Sequence, residues 1–488
     1  MDIIQIFIIL SFLFSIIIGI VVGNKVKNSS LNFTVAGRSL GAGLVGLALV
    51  AQAVDGNVTL GNTSLSFDFG FWAGAALPIG LAISLFLLGL FFAAPLNKLK
   101  LITLADLFEV KFNRQIGFLA AIIMILGFGV LLAGNIATVG ILLKLFFNIR
   151  YETAVIISSI VVLIYIIRGG ILSDIYADIF QIVLLFIGIF YALFFLFMFH
   201  GPIDLSISEI ITSKFSLGQL TSVAEGSLIN WATIIALGFG NLIAIDFGSR
   251  IFSAKSGKDA KKACFMAALF TLILGLPFSL IIFYAFSANL TPSADIPIIV
   301  VLAKQVLPPL ISALLISGIV NAALSTIDGA LLSMGNILTR NLIRIRPETT
   351  NDDEVIEKTA LYFFRISLIP IACAAMIFAI VLPSPGALLS IAFDITFSAL
   401  LIPFLFAFSS KYANSKAALY AIIVGGVSRM IFATLTPTLF GLPNPFYIPN
   451  SLISPSLDGV GTIIAPLLAL LTYVLVLTTS SKKVLAIN

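Results

Sequence analysis

Apolar runs of about twenty residues, the length a helix needs to cross the hydrocarbon core of a bilayer, recur along this sequence almost from end to end. Thirteen can be read, at 3–23, 41–66, 72–94, 116–147, 152–168, 175–200, 229–252, 264–287, 309–340, 360–382, 386–408, 416–436 and 460–479. Short segments rich in polar residues, glycine or proline separate them. With 60% hydrophobic and only 10% charged residues, a chain of 488 residues has too little polar surface to cover a water-exposed globule. The expectation is an all-α, multi-pass protein of the plasma or inner membrane, with the lipid bilayer as its surroundings. The apolar length of the first run, after Asp2 and with no Ala-x-Ala site, reads as a retained span rather than a cleaved signal peptide.

A net charge of +5 invites a nucleic-acid reading, yet the basic residues form no patch. Most of the 27 Lys and Arg fall in loops after odd-numbered runs or in the C-terminal tail, Arg250 and Arg340 being counted with them. Arg150 and Lys214 stand on the other side. By the positive-inside rule the N-terminus is outside and the C-terminus cytoplasmic, and no nucleic acid is expected as a partner. Cys264 and Cys373 lie in separate apolar runs and frame no disulfide scaffold. A single histidine, His200, leaves no His-based metal site and no His-dependent triad, so an enzyme is not expected.

Runs two to six begin inside and runs seven to eleven outside, which gives two groups of five with opposed topology, as an inverted-repeat transporter requires. The corresponding divisions are residues 1–40, a first helix and cytoplasmic loop; 41–228 and 229–408, the two repeats; and 409–488, two final helices. The opening member of each repeat has a helix-weakening centre, Ala51-Gln-Ala-Val-Asp-Gly-Asn57 in one and Gly238-Phe-Gly-Asn241 in the other. Inside lipid an unwound helix survives only within protein or around a water-filled cavity, so such breaks are where ions and solutes bind. The plainer reading of any one glycine is close helix packing.

Asp55, Asp178, Asp246, Asp328 and Asp394 all fall in apolar runs. A carboxylate at the centre of such a helix costs roughly 2.5–3.5 kcal/mol unless a cation, a proton or a polar cavity offsets it. In the ninth run the hydroxyls of Ser325 and Thr326 and the carbonyl of Ala322 can converge on one side, as hard oxygen ligands for a small monovalent cation. The same hydroxyls can instead bond the carbonyl one turn back.

Three segments carry a family resemblance. Arg168-Gly-Gly-Ile-Leu-Ser-Asp-Ile-Tyr-Ala-Asp-Ile-Phe-Gln181, Val35-Ala-Gly-Arg-Ser-Leu40 and Ala322-Ala-Leu-Ser-Thr-Ile-Asp328 together resemble the signatures of the sodium:solute symporter family. Pro78-Ile-Gly80 and Gly89-Leu-Phe-Phe-Ala93 resemble its high-affinity choline transporter branch. The resemblance implies a leucine-transporter-type fold with a five-plus-five inverted repeat and flanking helices, and import of a small solute by sodium-driven alternating access. It implies a sodium site built from the carbonyls of Ala51, Val54 and Ala322 and the hydroxyls of Ser325 and Thr326. Asp178 and Asp328 then mark the ion pathway. Hydroxyls that supply a second sodium site in some members are replaced here by Asp328 and Gly329, so one sodium per cycle is expected.

Two tryptophans of the choline cage align with Ala53 and Ala244, which speaks against choline itself. The candidate solute ligands are therefore polar: Gln52, Asp55, Asn57, Asn241, Asp246 and Asp394. Asp55 would favour an amine or a zwitterion over a bare carboxylate, while a half-helix N-terminus could hold an anion instead. Proton coupling through Asp55, Asp178 or Asp328, and a receptor or channel that does not transport, are the alternatives. The oligomeric state is left open.

Overall fold

The computed structural model describes residues 2–26, 29–201, 209–292, 296–346, 354–409 and 411–485. The main helices are α1 (Ile3–Gly23), α2 (Ala42–Ala53), α3 (Asn57–Asp68), α4 (Phe71–Lys98), α5 (Leu104–Lys111), α6 (Arg114–Phe147), α7 (Tyr151–His200), α8 (Ser227–Ile243) and α9 (Ile245–Ser253). They continue as α10 (Gly257–Ser287), α11 (Pro309–Ile343), α12 (Glu354–Val381), α13 (Ala387–Phe406), α14 (Ser415–Leu435) and α15 (Val460–Leu485). The sole β-pairings among the described residues are a hairpin of Thr438–Leu439 with Leu442–Pro443 and a single parallel bridge between Leu40 and Ala254.

Ten helices are long and apolar enough to cross a membrane alone, and the bent pairs α2–α3 and α8–α9 bring the number to twelve. The runs at 152–168 and 175–200 are joined in one helix, α7, of 50 residues. At 1.5 Å per residue it is about 75 Å long, more than twice a hydrocarbon core of about 30 Å. It turns at Gly170, whose φ of 53° and ψ of −146° suit glycine. A Cβ there would lie 2.4 Å from the carbonyl oxygen of Phe33, so the position also lacks room for any other residue.

Both expected helix breaks exist, one of them displaced. The first lies at Val54–Gly56, where Val54 leaves the helical region (φ −103°, ψ 71°) and the axis bends by 51°. Asp55 then caps α3, its Oδ1 accepting the Val58 N–H at 2.9 Å. The second break is not at Gly238–Asn241. Those residues close α8, Asn241–Ile243 forms a tight last turn, and the chain becomes extended at Ala244 before α9 departs at 45°. Leu40, which leads into α2, exchanges backbone hydrogen bonds with the end of α9: its N–H donates to Ser253 O at 3.1 Å and its carbonyl accepts from Lys255 N–H at 2.8 Å.

Helix α11 runs through the middle of the bundle, with every residue from Leu315 to Ile337 buried. Helices that are apolar all round belong in such a place. Outer helices turn large apolar side chains outward, among them Leu10, Phe14, Ile17 and Val21 on α1 and Phe194 and Phe197 on α7.

Candidate ion and solute site

Helix α2 ends at Ala53, so carbonyls of its last turn lack the N–H partners that a continuing helix would supply. That end also carries the negative pole of the half-helix dipole. Against it lies α11. The Ser325 hydroxyl donates at 3.0 Å to Ala51 O and at 2.7 Å to Ala322 O, and the Thr326 hydroxyl reaches Gln52 O at 3.4 Å. Oxygens from residues 274 apart in sequence are thus gathered beside the first break, with Val54 as its first non-helical residue.

The six expected solute ligands are not gathered in one place. Asp55 sits in the break, where its Oδ2 accepts from Asn135 Nδ2 at 2.7 Å and Asn57 Nδ2 at 2.8 Å. Asn135 Oδ1 accepts the Gly56 N–H at 2.9 Å, and Asn57 Oδ1 accepts the Gly386 N–H at 3.2 Å. The unwound backbone is therefore held by α6 and by the residue before α13. At the second break Asn241 donates to Leu237 O at 2.9 Å while its buried Oδ1 has no partner, and Asp246 accepts its neighbour Phe247's N–H at 2.7 Å. Two members of the group lie elsewhere. Asp394 is taken by an ion pair with Arg429, which bolts α13 to α14. Gln52 donates to Ser325 O at 2.5 Å and approaches Asp178 at 3.3 Å, on the side away from Asn57.

Asp178 and Asp328 do come together, with Asp174, in a group whose carboxylate oxygens lie within 4.8 Å of one another. Arg250 enters this group from α9. Its Nη2 is 2.7 Å from Asp174 Oδ2 and 3.1 Å from Asp178 Oδ2, and all three side chains are fully buried. Tyr165 donates to Asp328 Oδ2 at 2.7 Å, and the Gly329 N–H to Oδ1 at 2.8 Å. Arg250 is thus no cytoplasmic loop charge. It is a core residue, because four acids on neighbouring helices offset its burial. Asp174, Tyr165, Arg250 and Asn135 were missed in the sequence, although Asp174 and Asp178 stand four apart on one helix, as do Asp246 and Arg250, and such pairs share a face.

Cavities open at both ends of the bundle. One of about 720 Å³ is lined by Leu60, Gly61, Asp68, Lys144, Tyr151 and Ala387 and reaches the second half of the broken helix. One of about 320 Å³ lies at the other end among Arg38, Lys100, Asp106, Glu109, Arg340 and Arg346. There α5 is tied to the end of α11 by Asp106–Arg340 at 2.6 Å, Glu109–Arg344 at 2.9 Å and Glu109–Arg346 at 2.6 Å.

Residues 33–425 match the model of the sodium:solute symporter family. The chain belongs to this family. Its members are transporters and not enzymes, sodium is their coupling ion, and the chain is a sodium-coupled symporter of a small organic solute and a multi-pass integral membrane protein. It is 24% identical to high affinity choline transporter 1 of Homo sapiens over 90% of this chain and 78% of that protein. It is also 24% identical to the osmoregulated proline transporter OpuE of Bacillus subtilis, over 84% of each. Among solved structures, a Na+-coupled sialic acid symporter in a substrate-bound outward-open state superposes with a TM-score of 0.75 at 17% identity, over 98% of each chain. Mhp1, a nucleobase-cation-symport-1 family transporter, gives 0.51 at 15% identity over 92% of this chain and 95% of that one. The shared fold is of the leucine-transporter type.

Proposed function

We propose that this symporter binds one sodium ion between α2 and α11, through the carbonyls of Ala51, Val54 and Ala322 and the hydroxyls of Ser325 and Thr326. The approach of Ser325 Oγ to Ala51 O at 3.0 Å carries this reading. A hydroxyl that now donates to those carbonyls can turn its lone pair to an ion, and five hard oxygens at a helix C-terminus suit a small monovalent cation. With α7 counted as two crossings at Gly170, the chain makes thirteen, which sets the N-terminus outside and the C-terminus in the cytoplasm. Residues 41–228 and 229–408 are then the inverted repeats, and the larger cavity faces outward.

The solute binds beside the two breaks, near Asp55, Asn57, Asn241 and Asp246, and is a small amine or zwitterion. Support comes from Asp55, whose partners Asn135, Asn57 and the Val58 N–H are all uncharged, so no cation of the protein meets this carboxylate. An ammonium group is favoured there and a bare carboxylate disfavoured. Sodium favours the outward-open form with the solute site assembled; solute binding closes it; the gradient and the membrane potential, about 2.3 kcal/mol per charge per 100 mV, drive release inward.

The test is thermal stabilisation of the purified protein by choline, betaine, amino acids, polyamines, sugars, nucleosides and carboxylates, each in sodium and in potassium. A ligand at 100 times its Kd adds about 2.7 kcal/mol. An amine or zwitterion that stabilises only in sodium supports the proposal, a carboxylate hit overturns the solute class, and hits indifferent to sodium overturn the coupling site.

A further inference from the structure

The buried group between α7, α9 and α11 has the makings of a second cation site, since Asp174, Asp178 and Asp328 each offer an oxygen and those oxygens lie within 4.8 Å of one another. A positive group already stands among them. Arg250 Nη2 bridges Asp174 and Asp178 at 2.7 and 3.1 Å, while Asp328 is served by the Tyr165 hydroxyl and the Gly329 N–H. There is no spare room beside α11: a Cβ on Gly329 would lie 2.7 Å from Arg250 Nη2 and 2.4 Å from Gln52 Oε1.

The way the guanidinium is held also matters. Arginine placed for structure uses its planar fork, with several donors satisfied at once. Here Nε and Nη1 are buried without a hydrogen-bond partner, as are Asp174 Oδ1 and Gln52 Oε1, and one nitrogen alone meets the acids. It acts as a point charge at the centre of an oxygen cluster. Gln52 joins this cluster to the proposed sodium site, its Nε2 touching both Asp178 and Ser325 O and its backbone carbonyl facing the Thr326 hydroxyl at 3.4 Å.

We propose that Arg250 is a tethered cation that occupies the place of a second sodium ion among Asp174, Asp178 and Asp328, and so limits the transporter to one sodium per cycle. The inference rests on the sodium site proposed at Ser325 and Thr326. Removing the guanidinium takes from Asp174 its donor and leaves three carboxylates in a space of ionic size, which a mobile cation then fills.

Binding of radioactive sodium to the purified full-length protein, at constant ionic strength in potassium, tests this without knowledge of the solute. The native protein and Arg250→Lys bind one sodium with a Hill coefficient near 1; Arg250→Ala and Arg250→Gln bind two, with the coefficient rising toward 2. Millimolar guanidinium displaces only the added ion. If neither single variant is stable in potassium, recovery of the fold by sodium or guanidinium during solubilisation supports the proposal, and indifference to both overturns it. Variants that bind one sodium like the native protein overturn this inference alone. A native protein that binds none overturns the sodium site and, with it, this inference.

Discussion

Two groups of acids and arginines stand in this molecule, and their surroundings make them different devices. Around Arg250 the side chains of Asp174 and Asp178 have no exposure at all, whereas Glu109, Arg344 and Arg346 at the end of the bundle retain 16%, 27% and 21%. In the buried group no water can replace a lost partner, so each charge depends on the others. At the rim water and salt screen every pair, and each bond can open and close at little cost. The rim group ties α5 to the end of α11 across a cavity of about 320 Å³, a place where a transporter must part on one side of its cycle. The buried group has no such freedom. It belongs to the part that stays together.

The largest effect that would break this contrast is at Arg250. Arg250→Ala in potassium should cost about 3–5 kcal/mol, read as a fall in melting temperature, because it strands buried carboxylates. A loss below about 1 kcal/mol would mean that water reaches the group and that the two clusters are of one kind.

Next is Asp55. Asp55→Ala removes a helix cap and leaves Asn135 and Asn57 without an acceptor, an expected loss of about 2–4 kcal/mol from the two causes together. Asp55→Asn keeps the cap, and chemical denaturation should show less than half that loss.

Ser325→Ala with Thr326→Ala sharpens the comparison from the side of the ion. The double variant should lose the stabilisation of about 2.7 kcal/mol that sodium at 100 times its Kd provides, with the melting temperature in potassium shifted far less than by Arg250→Ala. Unchanged sodium dependence would remove these hydroxyls from the site.

The smallest effects belong to the rim. Glu109→Gln should cost no more than about 1 kcal/mol and the cost should shrink in high salt. Burial alone would push the Glu109 carboxyl up, yet hydrogen bonds and charge from Arg346 and Arg344 hold it below its ordinary value of 4.5. Its contribution is therefore complete above that value and is lost as the pH falls through the lowered one. Acid titration of the native protein, set against Glu109→Gln, should differ only in that low range. A difference near neutrality would assign the effect to another group.

Much of this molecule could be read before any fold was known. Membrane spans appear as apolar runs because the bilayer tolerates little else, and the first break announced itself by placing Asp55 and Gly56 where lipid forbids unpaired backbone. The second break was read some residues early, at Gly238–Asn241, because glycine weakens a helix without having to end it; α8 keeps its hydrogen bonds through those glycines and yields only at Ala244. Asp394 looked like a solute ligand for want of a visible partner. Its partner, Arg429, lies on the next helix, beyond the reach of local spacing.

Arg250 shows the limit most clearly. In the sequence it stands near Lys255, Lys258, Lys261 and Lys262 and reads as one more charge at a membrane end, yet the fold places it among acids more than seventy residues away in either direction. What the sequence determined by itself was that the chain must live in a membrane as a helical bundle, where its helices weaken, and which hydroxyls and acids it could offer to an ion, since composition and periodicity act locally. Which of those groups meet, and which are already spoken for, only the tertiary structure decided. Electrostatic partnership depends on distance and on the exclusion of water, and both come into being when the helices pack.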